Sequence, residues 1–309
     1  MRTSLRSPKA FVRPGVVSAE EPVTGIDRSV PLRVRVGGGF EVAYLDQPSA
    51  DPETDEPPLV LIHGFTGHRD DFIGVVPALA RSRRVLVPDL RGHGDSSETS
   101  GPLGWSFDQL VKDVGGWLEV IGIERCDLLG HSLGGMVALR CALQFPERLR
   151  SLILMCTAPE APKSLSREAL IKAADLAEAL GMPRLQELTE KAGRVSPSET
   201  IRGWGERYWA HNLRRLTAMT PQSYRGIGTE LFDAPSQVSR LADVDMPTLV
   251  LVGEHDGDFL PGADLFEKHL PNVQRRTLPN AEHHPHQENQ DEFLAEMEAH
   301  FSRLAEGPV

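Results

Sequence analysis

The chain has 309 residues and a formal net charge of −11, and 40% of its residues are hydrophobic. This is the composition of a globular protein with a sizeable core. The acidic balance argues against a nucleic-acid partner, which would require a basic face. No run approaches the ~20 apolar residues that span a bilayer. The three cysteines are an odd number in predicted core elements, which indicates free thiols. The oligomeric state stays open.

Residues 1–30 are predicted to form an N-terminal extension outside the folded core. They carry Arg2, Arg6, Lys9 and Arg13 and no acidic residue before Glu20. This composition is similar to that of an organellar transit peptide. A disordered extension with chance basic residues is the commoner case. We therefore expect the protein to be cytoplasmic.

A hairpin opens the predicted fold, because Leu32–Val36 and Phe40–Leu45 alternate in polarity and are joined by three glycines. Short continuous runs of Val, Leu and Ile then alternate with helical patterns. This alternation predicts an α/β fold, with a mostly parallel central sheet and helices on both faces. The predicted strands are Leu59–Ile62, Arg84–Val87, Cys126–Leu129, Leu149–Met155, Thr248–Val252 and Val273–Leu278, and the predicted helices are Phe72–Ala80, Phe107–Ile121, Leu133–Gln144, Ala263–His269 and Glu292–Leu304.

One stretch breaks the alternation. From about residue 159 to residue 238 there are only helical patterns, at Arg167–Leu180, Arg184–Ala192 and Gly203–Leu216. A strand-free insertion of this length between two core strands predicts a helical cap. We expect a core of residues 31–157 and 241–309 and a cap of residues 158–240.

The strongest chemical signal is Ser132, in the sequence GHSLGG at 130–135. It lies between a predicted strand and a predicted helix, which is the context of a nucleophile elbow. Small residues two before and two after the serine permit a sharp turn. The following helix directs backbone N–H groups at a developing oxyanion. Ser132 is the predicted nucleophile.

A serine hydroxyl needs a base to take its proton. Asp256 and His283 each lie just beyond a predicted strand, and they follow the serine in the order Ser, acid, His. Strand ends of this kind are where open α/β sheets place their sites. We therefore predict that His283 is the base and that Asp256 orients it.

Neighbouring carboxylates and histidines compete for these two roles: Glu254, Asp258, His284 and His286. Spacing from the preceding strands favours the pair named above. The clustered histidines at 283–286 could also be metal ligands, but they have no partner at i, i+4 spacing. We expect no metal and no cofactor.

The oxyanion pocket is predicted from the sequence HGFTG at 63–67, which follows the strand Leu59–Ile62. The backbone N–H groups of Phe65 and Leu133 would bind the oxyanion. Each such donor is worth ~3–4 kcal/mol. A plain strand–helix turn that needs glycines is the alternative.

These segments occur in one order along the chain: HGFTG at 63–67, DLRGHGDS at 89–96, GHSLGG at 130–135, GEHD at 253–256 and NAEHHPHQE at 280–288. Together they resemble the α/β-hydrolase fold family with a helical cap. The resemblance implies that Arg91, His93 and Asp95 are structural and that His63 organises a loop. One departure is Glu282, where the family commonly has glycine.

Ester or lactone hydrolysis through an acyl-enzyme is the leading hypothesis for a small-molecule substrate. The serine disfavours the chemistry of the dehalogenase and epoxide-hydrolase relatives, which carry aspartate there. Carbon–carbon hydrolases usually have tryptophan after the catalytic histidine, where this chain has His284. The HGFTG and His-x-x-His-x-Glu patterns are similar to a menaquinone-pathway synthase, in which the same triad drives elimination. A ligand receptor on this fold is the non-enzyme alternative.

Cap side chains are candidates for recognising the substrate. An apolar pocket for short to medium acyl groups would combine residue His131 with cap residues, although packing onto the core is an equal explanation. The pocket candidates are His131, Trp204, Tyr208, Trp209 and Leu213. Cap arginines suit an acidic substrate, but a solvated helix face is the simpler interpretation of Arg202, Arg207, Arg214 and Arg215.

Overall fold

The computed structural model describes residues 31–96, 102–191 and 206–306, apart from the side chains of residues 102, 103 and 207–209. The predicted α/β class is confirmed by an eight-stranded sheet. Its strands are β1 (Leu32–Arg35), β2 (Glu41–Gln47), β3 (Leu59–Ile62), β4 (Val85–Pro88), β5 (Cys126–His131), β6 (Leu149–Met155), β7 (Thr248–Gly253) and β8 (Val273–Leu278). Their order in the sheet is β1-β2-β4-β3-β5-β6-β7-β8.

Helices connect most of the strands. They are α1 (Val76–Leu79), α2 (Phe107–Val120), α3 (Leu133–Gln144), α4 (Arg167–Leu180), α5 (Met182–Lys191), α6 (Glu206–Thr217), α7 (Pro221–Asp233), α8 (Leu260–His269), α9 (Pro285–Glu288) and α10 (Gln290–Glu306). The continuous helix predicted over 72–80 is wrong, because a 3₁₀ turn at Arg69–Phe72 precedes the short α1. Gly74 lies between the 3₁₀ turn and α1, where it disfavours a continuous helix. Pro77, the second residue of α1, has no N–H to donate to a preceding helical turn.

The hairpin and the parallel sheet follow the prediction. β1 and β2 pair antiparallel with Leu32 opposite Tyr44, and β2 continues antiparallel to β4. Every later pair, from β3–β4 to β7–β8, is parallel. The carboxyl ends of these strands therefore lie along one edge of the sheet, where the loops that carry the candidate residues begin.

The continuous apolar runs reflect a sheet buried on both faces. Val60 and Ile62 belong to the core cluster that contains Trp117 of α2. Leu59 and Leu61, which alternate with them, belong to a second cluster that contains Phe293 of α10. Because both clusters exclude solvent, alternation of polarity disappears from the central strands.

The described residues between β6 and β7 contain four α-helices, α4 to α7, and no strand. This agrees with the strand-free insertion; its treatment as a separate cap stays a prediction. The helix α7 was not predicted, although Thr220 caps its first turn and Pro221 begins it. None of the helices in the three described ranges has the length and hydrophobicity of a bilayer-spanning segment.

Candidate active site

Ser132 lies at the junction of β5 and α3 in a strained conformation. Its φ of 53° and ψ of −118° are unusual for a residue with a side chain. Two hydrogen bonds hold it there: its N–H donates to the Met155 carbonyl at 3.0 Å, and the Thr157 hydroxyl donates to its carbonyl at 2.6 Å. Such strain persists only where the surroundings over-determine it.

Glycine is required on both sides of this turn. A Cβ on Gly130 would lie 2.2 Å from the Gly134 carbonyl oxygen, and one on Gly134 would lie 2.4 Å from that of Ile62. No side chain fits at these distances. The two glycines of the motif therefore permit close backbone packing, as expected for a sharp turn.

His283 and Asp256 meet on the loops that follow β8 and β7. The Nδ1 atom of His283 lies 2.9 Å from Oδ2 of Asp256. Asp256 is buried, while the His283 side chain is 30% exposed. Phe259 stacks on the imidazole with ring centroids 4.7 Å apart. The loops themselves touch, since a Cβ on Gly253 would lie 2.0 Å from the Glu282 carbonyl oxygen.

The competing residues have other surroundings. Glu254 is exposed, and its carboxylate accepts the Asn280 N–H at 3.1 Å. Asp258 is exposed. His286 is buried against Phe72, with ring centroids 4.8 Å apart. Of the competing histidines, His284 lies nearest, with its ring 5.2 Å from that of His283.

His131 joins the serine turn to the histidine loop. Its Nε2–H donates to the carbonyl oxygen of His283 at 2.7 Å, and the two rings lie 4.9 Å apart. Because His131 immediately precedes Ser132, this bond brings residues 132 and 283 into one neighbourhood. His131 is only 1% exposed, so its position favours an internal brace over a pocket wall.

Glu288 holds the loop around His283, a role that was not predicted from the sequence. Its Oε2 accepts the N–H of Glu282 at 2.7 Å and that of His284 at 3.1 Å. These two amides flank His283. The signal was the His-x-x-His-x-Glu pattern, since the short helix α9 returns the carboxylate to the start of its own loop.

The 63–67 loop lies against Ser132, because a Cβ on Gly64 would come 3.1 Å from the serine Cβ. It closes on itself through a 3.0 Å bond from Gly67 N–H to the Gly64 carbonyl. Leu133 is the first residue of α3, so its N–H has no acceptor within the helix. The Leu133 N–H thus directly follows the serine, and the 63–67 loop lies beside it.

Two neutral histidines fix this loop. His63 accepts the Leu90 N–H at Nε2 and donates from Nδ1 to the Gly64 carbonyl. His93 in the same way accepts the Thr66 N–H and donates to the Arg91 carbonyl. Burial lowers the pKa of both imidazoles. With both ring nitrogens occupied, neither is free to act as a base.

The arginine and aspartates of the 89–96 segment also form structural contacts. Arg91 makes two 2.6 Å hydrogen bonds to the Asp113 carboxylate. Asp95 pairs with Arg69, and Asp89 accepts the Arg69 N–H at 2.7 Å. These bonds tie the turn after β4 to the residues that follow the 63–67 loop.

Helix α6 contacts the same region through polar pairs that sequence reasoning missed. His211 Nε2 lies 2.8 Å from Asp71 Oδ1, and Arg214 lies 2.6 Å from Asp70. Arg215 is buried, with Nε 3.4 Å from Asp71 and 3.3 Å from the Thr66 carbonyl. For Arg215 the solvated-face interpretation is therefore wrong, because the residue packs between the helix and the loop.

The remaining pocket candidates are only partly described. Trp204, and the side chains of Tyr208 and Trp209, lie outside the described residues, as do Arg202 and the side chain of Arg207. Leu213 is 43% exposed. Its role in a pocket stays a prediction.

Cys156 follows β6 and faces the His283–Asp256 pair. Its sulfur, an Asp256 oxygen and a His283 ring nitrogen all lie within 4.8 Å of one another. Burial, and then the charge of Asp256, hold the pKa of the thiol well above its usual value. The other two cysteines are buried and also free, as expected from their odd number.

A family model described as the alpha/beta hydrolase fold matches residues 57–290. The chain belongs to the α/β-hydrolase fold family. The resemblance drawn from the five sequence segments is thereby confirmed.

Relatives in this family differ in the reaction they are named for. A pimeloyl-[acyl-carrier protein] methyl ester esterase of Aeromonas hydrophila is 31% identical over 79% of this chain and 95% of its own. A "Putative 2-succinyl-6-hydroxy-2,4-cyclohexadiene-1-carboxylate synthase" of Bacillus subtilis is 28% identical over 83% of this chain and 93% of its own. The solved enol-lactonase of Burkholderia xenovorans superposes with a TM-score of 0.73 at 23% identity, covering 88% of this chain and all of that one. The last similarity shows the fold alone.

Proposed function

We propose that the chain is a serine hydrolase that cleaves a carboxylic ester or lactone through an acyl-enzyme. The proposal rests mainly on the His283–Asp256 pair at 2.9 Å, and on the hydrogen bond that joins the His283 carbonyl to His131, the residue next to Ser132. Asp256 binds Nδ1, so it fixes the tautomer whose Nε2 can accept a proton. The carboxylate then stabilises the imidazolium that forms.

In the proposed reaction, the Ser132 oxygen attacks the carbonyl carbon while its proton passes to His283 Nε2. The N–H groups of Phe65 and Leu133 hold the oxyanion. The intermediate expels the alcohol, which takes the proton from His283. Water then attacks the acyl-serine in the same way and releases the acid. In a lactone, the expelled hydroxyl stays on the same molecule.

We also infer that residues 158–240 form a cap over this site. Tyr224 of α7 packs on Phe65 with ring centroids 5.1 Å apart, and Arg215 of α6 donates to the Thr66 carbonyl. Both contacts join the inserted helices to the proposed oxyanion loop.

The free, buried cysteines support a reducing compartment and hence a cytoplasmic location.

A serine-reactive p-nitrophenyl phosphonate tests the nucleophile directly. We expect one adduct by mass spectrometry, on the peptide that contains Ser132, and a burst of p-nitrophenol from short p-nitrophenyl esters. Ser132→Ala should abolish the adduct and lower ester turnover by at least about 10³-fold. Ser82→Ala, which changes an exposed serine, is the matched control. Ligand binding without acylation would favour a receptor instead.

Elimination by the same triad is the second candidate, favoured by the Bacillus subtilis relative that aligns over 93% of its length. It needs His283 as a base but no acyl-serine. Turnover of that relative's substrate together with absence of the ester burst would select elimination. A burst with no such turnover would select ester hydrolysis.

A further inference from the structure

We propose that Cys156, Asp256 and His283 form an inhibitory site for a soft divalent metal ion of the zinc class, such as Zn²⁺ or Cd²⁺. A sulfur, a carboxylate oxygen and an imidazole nitrogen are the ligand atoms that these ions prefer. Residue positions 156, 256 and 283 are far apart in the sequence, so no local spacing pattern marks the site. The fold brings the three atoms together at the ends of β6, β7 and β8.

The geometry is close to that of a tetrahedral site. Ligand atoms around tetrahedral zinc lie about 3.4–3.6 Å from one another. Here the three atoms lie within 4.8 Å of one another, and Nδ1 of His283 is 2.9 Å from Asp256. Shifts of about 1 Å would therefore complete three bonds. The Glu282 carbonyl oxygen, 3.8 Å from the Cys156 sulfur, offers a fourth ligand.

A metal ion would reach this site from the side of His283. Cys156 is 1% exposed, whereas the His283 side chain is 30% exposed and Asp256 5%. An ion can first meet His283 and Asp256 and then bind the sulfur.

Metal binding would block the base by moving a proton. The ion replaces the thiol proton, which is released to solvent, and it takes the position on Nδ1. The imidazole then keeps its single proton on Nε2. That nitrogen can no longer accept the proton of Ser132, so the inhibition rests on the proposed function, whereas metal binding itself does not.

Binding is tested first in a Cys126→Ser, Cys141→Ser background, in which Cys156 is the only thiol. Titration with Cd²⁺ should produce the ultraviolet thiolate-to-cadmium band, saturating at one ion per chain. Adding Cys156→Ser or Cys156→Ala should remove the band, and adding His283→Gln should weaken binding by at least roughly tenfold. Circular dichroism selects the variants that are folded. Absence of the band in the folded background, or its persistence without Cys156, would overturn the site.

Inhibition is tested with Zn²⁺ on ester hydrolysis. Zinc should inhibit the background protein, and a chelator should reverse the effect. The inhibitory concentration should rise at least roughly tenfold in the Cys156→Ala variant, measured relative to that variant's own activity. An equal inhibitory concentration would assign the effect to other histidines and refute the mechanism. If no ester is turned over, the cadmium band still decides whether the site exists.

Discussion

Among the described residues, two histidine–aspartate pairs have almost equal lengths but different surroundings. His283 and Asp256 are 2.9 Å apart on loops at the sheet edge, beside His131 and the serine turn. His211 and Asp71 are 2.8 Å apart, but this pair joins α6 to the 3₁₀ turn, and Arg215 lies 3.4 Å from the same oxygen. The contact distance alone therefore does not distinguish the two pairs; their position relative to Ser132 does.

The charges of the second pair indicate a structural role. Burial would raise the pKa of Asp71, but Arg215 and His211 outweigh it and hold that pKa well below its usual value. A carboxylate that binds both a guanidinium and an imidazole already has its hydrogen-bond partners. Asp71 is therefore suited to fastening α6 to the core, while Asp256 binds the His283 imidazole.

The largest expected difference separates the two histidines. His283→Gln should lower the kcat for a short p-nitrophenyl ester by at least about 10³-fold, because it removes the proposed base. His211→Gln should lower kcat by less than about tenfold, since the residue holds no reacting atom. Steady-state kinetics on both folded variants measure the two losses. Similar losses of kcat would contradict the proposed difference between His283 and His211.

A smaller effect on kcat is expected from replacing Glu288, which holds the loop around His283. Glu288→Gln weakens the acceptor of the Glu282 and His284 amides, so His283 should lose its alignment. We expect kcat to fall roughly 10–100-fold with a smaller change in KM. Glu292→Gln, at an exposed position of α10, is the control. A fall in thermal stability without any change in kcat would leave Glu288 with no positioning role.

The buried imidazole of His286 predicts that the protein loses stability in acid. Burial, partly opposed by Asp71, lowers the pKa of His286 to about 3, below the value of about 6.5 expected in the unfolded chain. The unfolded state thus binds more protons below pH ~6.5, so stability falls as the pH falls.

Replacing that imidazole should flatten the pH dependence. Between pH 7 and 5.5, the free energy of unfolding of the natural chain should drop by about 1 kcal/mol more than that of His286→Phe. Urea unfolding at the two pH values measures this difference. Parallel pH dependences would mean that His286 is not kept neutral in the folded state.

The smallest effect is expected at the edge of the second pair. Arg214 contacts Asp70, but the arginine side chain is 50% exposed, and exposed ion pairs contribute at most about 1 kcal/mol. Arg214→Ala should therefore lower the free energy of unfolding by less than about 1 kcal/mol, with kcat unchanged. A loss of several kcal/mol in urea unfolding would show that the α6 contact depends on this pair.

Local sequence was most informative where one physical requirement dominates. Strands β3 and β6 have the predicted bounds, because central strands buried on both faces are short continuous apolar runs. The edge strand β8 also has its predicted bounds, although its sequence VQRRTL is not an apolar run. The serine turn was recognisable because its close backbone contacts admit only glycine at positions 130 and 134. The break between the 3₁₀ turn and α1 was missed because apolar periodicity outweighed Gly74 and Pro77.

By itself, the sequence determined the α/β class, the order of the strands along the chain and the positions of the candidate serine, histidine and aspartate. Hydrophobic periodicity and backbone sterics act over a few residues, so the sequence alone reveals them. Only the tertiary structure decided that His131 binds the His283 carbonyl, that His211 meets Asp71 and that Cys156 faces Asp256. These contacts depend on separate strands ending at one sheet edge and on α6 packing over it, which no local pattern records.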